Sequence, residues 1–482
     1  MMEPCISLPL EKSLLDDVVA QSKDFANVHG IVMRRRETPL SSDVVCFTPH
    51  TLVPSPVPKK LFYQSVDVQN DFHLLMHGIS RDYQFLKSVL SSSMQHDEFQ
   101  KKLFDIYEEV YINNIPCQPI MLGMLRCDYM FDCSGGRDIS TDKIQLKQVE
   151  VNTIASGLAG LGTQCTRLHR FNLENLGKSE IASSLPESKA VGKMAEGFVE
   201  AWKLYGNNKA AILFLIEELS WNIMDQRWLE YEIRNLDKSI PIIRRLFKDV
   251  VERAKIEDNK LILDNYEIAI VYYRYGYSPE HYPTEKEWEA RLMVEKSQTI
   301  KCPPISYHLA GSKKIQQELP RAGAVERFQK YFPDGEVTVK RIRNTFAGLY
   351  TLDMNDEGSE TALKNPNIYV LKPQREGGGN NLFGEDIKTK LEQIGEDKSR
   401  AGYILMDKIE PLVVTNYTVQ SEKDVEIRKM VSEIGIFGAI ISNGENVPFN
   451  STCGHILRTK TVSSNEGSFA GGSAVIDSPF LV

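Results

Sequence analysis

The chain has 482 residues, 57 of them Lys or Arg and 65 Asp or Glu, which gives a formal net charge of −8. That length is too great for one compact core and predicts two or three lobes sharing a cleft. The acidic balance gives no reason to expect nucleic acid or an anionic membrane as partner, so an anionic ligand would need a local basic pocket.

The 8 cysteines form no CxxC pair. Neither a zinc knuckle nor a thioredoxin-type site is expected, and reduced, mostly structural thiols are. The N-terminus lacks the basic-then-apolar layout of a signal peptide, and apolar runs such as 210–216 fall far short of the roughly 18 residues of a membrane span. A cytoplasmic protein is expected.

Residues 1–115 read as a mainly helical N-terminal part contributing to the main body. Apolar residues recur at spacings of three and four over 68–76 and 99–111. The four prolines between Thr48 and Lys60 predict an extended connector. A β region with following helices spans 116–205, with strands over 120–131 and 143–154 and a turn at 133–138. An α/β region spans 206–320. Its runs at 210–216 and 268–274 read as buried strands, and 225–236, 285–296 and 313–319 read as helices. The remainder, 321–482, carries strands at 367–372 and 403–409. A strand pair at 427–441 and 449–460 turns at Ser442, Asn443 and Gly444. Two glycine-rich loops, 372–381 and 463–474, complete it. The fold class predicted is mixed α/β.

The stretch LKPQREGGGNN, 371–381, is the most informative. A strand delivers Lys372 to its end, and Gly377, Gly378 and Gly379 then let backbone N–H groups approach an anion. Lys372 supplies a point charge for phosphate and Glu376 an oxygen ligand for Mg²⁺. No GK[ST] closes the loop, so it is not a Walker A sequence. Three glycines alone would equally make a plain connector. The flanking lysine, glutamate and asparagines favour a phosphate lid. In QVEVNTI, Glu150 and Asn152 are two apart on a strand and share one face, with Val149 and Val151 turned to the core. Two oxygens on a rigid face suit a magnesium ion, although a solvated strand face has the same pattern. The cations Arg126, Arg274, Lys313, Lys372, Arg458 and Lys460 would, if they converge, make the basic pocket that the overall charge requires.

KPQREGGGNN (372–381), VEVNTI (149–154), NIMDQR (222–227), YRYGY (273–277), LAGSKKIQQEL (309–319), SEIGIFG (432–438) and GHILRTK (454–460) together resemble eukaryotic glutathione synthetases. SSDVVCFTPHTLVPSPVP (41–58) and LRCDYMF (125–131) match as well, and the segments keep their order along nearly the whole chain. The resemblance implies an ATP-grasp-like fold, in which antiparallel sheets enclose ATP beneath glycine-rich lids, and a homodimer. It implies ligation of γ-glutamylcysteine to glycine through an acyl phosphate, with release of ADP and phosphate.

The resemblance also assigns residues. Metal positions fall on Glu150, Asn152 and Glu376, with two Mg²⁺ expected to accompany ATP. ATP positions fall on Glu150, Lys313 and Lys372. They continue through Pro373, Gln374, Arg375, Glu376, Gly377, Gly378, Gly379, Asn380 and Asn381, and include Phe383. Met406, Asp407, Lys408 and Ile409 would be a strand edge that hydrogen-bonds adenine. Glu433 would hold the ribose, with Lys460 and Glu466 nearby. Dipeptide and glycine positions fall on Arg126, Ile154, Ala155, Ser156, Gly157, Ser220, Trp221, Asn222, Gln226, Arg274, Tyr275, Gly276, Tyr277, Arg458, Phe469 and Ala470. Arg126, Lys313, Lys372 and Arg458 would carry catalysis by stabilising charge, with no histidine or cysteine as general base.

Three positions depart from the family pattern. Ala155, Ser156 and Gly157 stand where serines usually flank an alanine, Phe383 replaces a tyrosine, and the second loop reads Phe469, Ala470, Gly471, Gly472 against a more alanine-rich pattern. The same chemistry with alanine or serine as acceptor, or an inactive nucleotide- or peptide-binding relative, are the alternatives these departures raise.

Overall fold

The computed structural model describes residues 2–113, 117–134, 143–352, 357–374, 380–395, 397–464 and 474–482. Its centre is a seven-stranded sheet built around one long hairpin. Glu426–Asn443 runs out and Asn446–Thr461 returns, joined at Gly444, whose φ of +63° suits glycine at the turn. Ile120–Asp132 pairs antiparallel with Glu426–Asn443, and Gln145–Asn152 with Ile120–Asp132. On the other side come Ala474–Asp477, the two residues His50–Thr51, and Val413–Val419. Val413–Val419 also pairs with the first part of Glu426–Asn443, so the sheet curls back on itself. The apolar faces of the hairpin are sealed by Gln69–Ser80 and Ile305–Ala310 on one side and by Ala159–Asn175 and Ala190–Tyr205 on the other.

A second sheet is parallel where the sequence shows continuous apolar runs. Ile242–Leu246, Ala211–Ile216, Tyr266–Tyr273 and Ile300–Cys302 lie side by side in parallel, and Ala211–Leu215 and Ile268–Tyr273 are almost wholly buried. A third sheet is small and antiparallel, in the order Leu349–Thr351, Tyr403–Asp407, Tyr369–Pro373, Leu382–Phe383. With the helices Glu357–Lys364 and Glu385–Ile394 it encloses its own core of Leu352, Ala362, Leu371, Ile387, Leu391 and Leu405. This small lobe faces one end of the seven-stranded sheet, and the functional residues gather between the two.

Several readings of the sequence change. The N-terminal part is largely helical, but it also lends His50–Thr51 to the central sheet, and Val32–Arg34, Val45–Phe47 and Ser55–Val57 are strands. Val149 does not face a core. The register slips between Asp128 and Tyr129, which pair with Glu150 and Gln148, so Val149 is the extra residue of a bulge and is half-buried. Glu150 and Asn152 still share a face, because the bulge lies before them. All 8 cysteines are free thiols. Among the described residues no helix is long and apolar enough to cross a membrane.

Candidate functional site

Four neighbouring strands bring charged side chains to one place. Arg126 pairs across the ladder with Asn152, Asp128 with Glu150, and Glu433 with Arg458. Arg126 is 7% exposed and docks its Nε and one terminal nitrogen on Asp128 at 2.7 and 2.8 Å, while its other terminal nitrogen donates to the Gly157 carbonyl at 3.0 Å. Arg458 donates to Asp128 at 2.8 Å and contacts Glu433. The Asn152 amide donates to Asp128 at 2.9 Å.

Glu150 lies where this cluster meets the small lobe. Lys313, at the start of the helix Lys313–Glu318, stands 3.7 Å from its carboxylate. Lys372, the next-to-last residue of the Tyr369–Pro373 strand, crosses from the small lobe and donates to the Val149 carbonyl at 3.0 Å. The bulge therefore presents a carbonyl that anchors this lysine. Burial pushes the Glu150 carboxyl up, but the attraction of Lys313, Lys372, Arg458 and Arg126 outweighs it and brings the group down to about 2. Glu433 moves the other way: burial raises it above the usual carboxylate range, ahead of the attraction of Arg458. Glu150, Lys313, Phe346, Leu349, Lys372 and Ile404 line a pocket between the two sheets. Lys313 also lines a second pocket with Tyr277 and Gln374, so it borders both cavities.

The remaining nucleotide positions surround the first pocket. Pro373 ends its strand, and Gln374 accepts from the Lys314 N–H at 3.0 Å. Phe383 pairs with Val370 at the edge of the small sheet, and Asn380 and Asn381 precede it. Lys460 sits two residues beyond Arg458 on the same strand, opposite Val431. Met406 and Asp407 do not form a strand edge. Tyr403–Asp407 is flanked on both sides, by Leu349–Thr351 and Tyr369–Pro373. The Asp407 and Lys408 N–H groups are already donated, to Gly348 at 2.9 Å and Ile368 at 2.8 Å. Ile409 lies just past the strand.

The substrate positions form the opposite wall. Asp225 accepts from the N–H groups of Leu158 and Leu161 at 2.7 and 3.1 Å, which pins the 154–158 segment to the N-terminus of Ala159–Asn175. Ala155 in that segment has φ +54°. The Ser156 hydroxyl is directed at the Met124 and Asn152 carbonyls at 3.0 and 3.3 Å and is 2% exposed, so it belongs to the fold and does not replace the missing serines. A Cβ at Gly157 would stand 3.0 Å from the Arg274 guanidinium, so glycine here lets that side chain lie against the loop. Arg274 continues the strand Tyr266–Tyr273. Among the described residues the Nε groups of Arg274 and Arg458 are buried without a hydrogen-bond partner, a donor set suited to a carboxylate. Gln226 is held by Arg244 at 2.7 Å and donates to Ser220 and Asn222. Trp221 has the Arg36 guanidinium over its ring. Tyr275 stacks on His281, and Gly276, with φ +95°, would bring a Cβ to 2.9 Å from the Tyr282 hydroxyl. Ile154 is buried in the core of the parallel-sheet lobe.

Arg375, Glu376, Gly377, Gly378, Gly379, Glu466, Phe469 and Ala470 lie outside the described residues. Asp128, which three of the functional side chains share, is absent from the residues the sequence singles out. Its signal was there in LRCDYMF: an Arg and an Asp two apart on one strand face the same way.

Among the described residues no group of three or more His, Cys, Asp or Glu could hold a metal ion. Magnesium does not need one, since it keeps several waters and phosphate oxygens around one or two protein oxygens. Glu150, held ionised, and Asn152, whose amide nitrogen is turned away towards Asp128, offer that pair.

The model of the family "Eukaryotic glutathione synthase, ATP binding domain" matches residues 12–481. A glutathione synthetase of Xenopus laevis is 44% identical over 98% of both chains. That of Homo sapiens is 40% identical over 99% of both, and the chloroplastic one of Solanum lycopersicum is 35% identical over 98% of this chain and 85% of its own. The solved apo structure of a glutathione synthetase-like effector from Globodera pallida superposes with a TM-score of 0.78, at 28% identity and 98% coverage of both chains.

Proposed function

This chain belongs to the eukaryotic glutathione synthases and is an ATP-dependent ligase, and we propose that it joins γ-glutamylcysteine to glycine with the residues described above in the following roles. The observation that carries the reading is the convergence of Arg126, Arg458, Lys313 and Lys372 around one ionised glutamate, Glu150, in a cleft between two sheets. ATP lies in that cleft. Lys313 and Lys372 hold its phosphates, Glu433 the ribose, and Ile409 the adenine edge from beyond its strand. Arg274 and Arg458 take substrate carboxylates through their unpartnered nitrogens.

Glu150 and Asn152, with Glu376, would hold Mg²⁺, which would neutralise phosphate charge. The reacting carboxylate attacks the γ-phosphorus of ATP, ADP leaves, and the acyl phosphate so formed is attacked by the acceptor amine with loss of phosphate. Arg126 lies beside the Gly157 carbonyl and steadies the negative charge that develops on the transferring group. Lys313, bordering both pockets, spans nucleotide and carboxylate. The loops at 372–381 and 463–474 exclude water from the acyl phosphate. The enzyme works in the cytoplasm as a homodimer.

Phosphate release by purified protein tests this, with ATP, Mg²⁺ and γ-glutamylcysteine and with glycine, alanine or serine added in turn. Release that requires the dipeptide and is fastest with glycine is expected. A preference for alanine or serine would keep the ligase and move its acceptor, and no release from folded protein would make the chain an inactive relative.

A further inference from the structure

We propose that Asp128 is the positioning residue of this site: one buried carboxylate that sets the orientation of Arg126, Asn152 and Arg458 together. The proposal rests on the roles just given to those three. Asp128 itself has no access to the cleft. Its side chain is 0% exposed, against 14% for Arg458 and 22% for Glu433. Oδ1 accepts from Arg126 Nε at 2.7 Å. Oδ2 accepts from three groups, Arg126 at 2.8 Å, Arg458 at 2.8 Å and Asn152 at 2.9 Å. Those four bonds use the acceptor capacity of an ionised carboxylate.

Each bond fixes something a ligand needs. The two to Arg126 dock one edge of its fork, so the guanidinium plane cannot turn and its remaining nitrogen reaches the Gly157 carbonyl at 3.0 Å. The bond from Asn152 decides which end of a side-chain amide faces the cleft. With its nitrogen donating to Asp128 and, at 3.3 Å, to the Arg126 carbonyl, the oxygen must point away, which is the orientation a cation requires. The bond from Arg458 shares that cation with Glu433. The opposite strand is cut to fit. Gly435 pairs with Asp128, and a Cβ there would stand 2.9 Å from both Asp128 Oδ1 and Arg126 Cδ.

The test uses the full chain and reads metal binding without turnover. Mn²⁺ is titrated in the presence of ADP and followed by electron paramagnetic resonance. In Asp128→Asn an amide NH₂ faces donors where an acceptor stood, so Asn152 is no longer held. Mn²⁺ affinity is expected to fall about 10- to 100-fold while the circular dichroism stays that of the wild type. A folded Asp128→Asn protein that binds Mn²⁺ within twofold of wild type overturns the proposal, whatever its activity. Should that variant not fold, Arg126→Met is compared with Arg126→Met/Asp128→Leu. The double variant removes one cation with one anion and leaves Arg458 paired with Glu433. Weaker Mn²⁺ binding in the double than in the single variant supports the role, and equal binding refutes it. A wild type that binds Mn²⁺ and ADP yet ligates nothing would defeat the proposed reaction and still leave this test of Asp128 intact.

Discussion

Two sets of charged side chains are withdrawn from water in this protein, and their surroundings differ. Behind the parallel sheet, Arg291 and Glu295 are fully buried and bonded at 3.0 Å. The Arg291 guanidinium lies 4.0 Å from the Tyr273 ring centroid, Tyr111 donates to Glu295 at 3.1 Å, and Lys301 donates to the Ser297 carbonyl at 2.8 Å. That set is sealed, and its charges have only one another and a few polar atoms to answer. In the cleft, Asp128 is as deeply buried, but Glu150 and Glu433 keep 27% and 22% of their surface. There four cations (Arg126, Arg458, Lys313, Lys372) meet three carboxylates (Asp128, Glu150, Glu433), and the Arg458 Nε is buried without a hydrogen-bond partner. Buried ionic groups therefore do not by themselves mark a site. Residual exposure does, since the sealed Arg291 also has buried nitrogens without a hydrogen-bond partner.

The largest effects should fall on the sealed set and should concern stability. Arg291→Met strands Glu295 in the interior, and breaking a buried pair costs about 3–5 kcal/mol. Urea unfolding should show that loss, while the Michaelis constants of whatever protein folds stay near wild type. A variant as stable as wild type would mean that the interior tolerates the lone carboxylate. In the cleft the response should be reversed. Lys372→Met keeps the aliphatic stem and removes the charge held at Val149, so stability should change little. Phosphate release should fall about 10²- to 10³-fold, the effect of losing one preorganised charge-stabilising donor. Undiminished turnover would remove Lys372 from the reaction.

The same contrast shows what the sequence could tell. Apolar runs long enough to be buried strands, the Ser442–Gly444 turn and the capped helix Glu285–Lys296 were legible, because each is set by residues close in sequence. Ordered motifs brought Arg126, Glu150, Lys372 and Arg458 into view as well. Pairing partners were not legible. That Tyr403–Asp407 is central depends on Leu349–Thr351, three residues with little pattern of their own. The Val149 bulge is a property of two strands together. Asp128 is legible only in part: LRCDYMF sets it on one face with Arg126, but what reaches it from Gln145–Asn152 and Asn446–Thr461 leaves no local pattern.

Acid should separate the two sets by a smaller amount. The Glu150 carboxyl is held at about 2 in the folded protein, below its ordinary 4.5. Its stabilising contribution is therefore complete above pH 4.5 and is lost as pH falls from there towards 2, with a ceiling of about 3 kcal/mol. Glu150→Gln should be less stable than wild type at neutral pH, and the gap should close below pH 4.5. A gap that stays constant in urea titrations from pH 7 to 3 would mean that the surrounding cations do not act through this charge.

The smallest expected effect touches no charge at all. Gly435→Ala adds one methyl group opposite Asp128, where it meets Asp128 Oδ1 and Arg126 Cδ at 2.9 Å. Overpacking of this kind costs about 1–3 kcal/mol. In the sealed set such a cost would appear as stability alone. In the cleft the groups forced to move are those that orient Arg126, so kcat should drop as well, although every ionisable residue is still present. The comparison turns on that second loss. If Gly435→Ala lowers the urea midpoint but leaves kcat unchanged, the Arg126–Asp128 pair tolerates displacement and behaves like Arg291 and Glu295, as packing. If kcat falls out of proportion to the change in stability, the clearance left by one glycine is part of how the site is held.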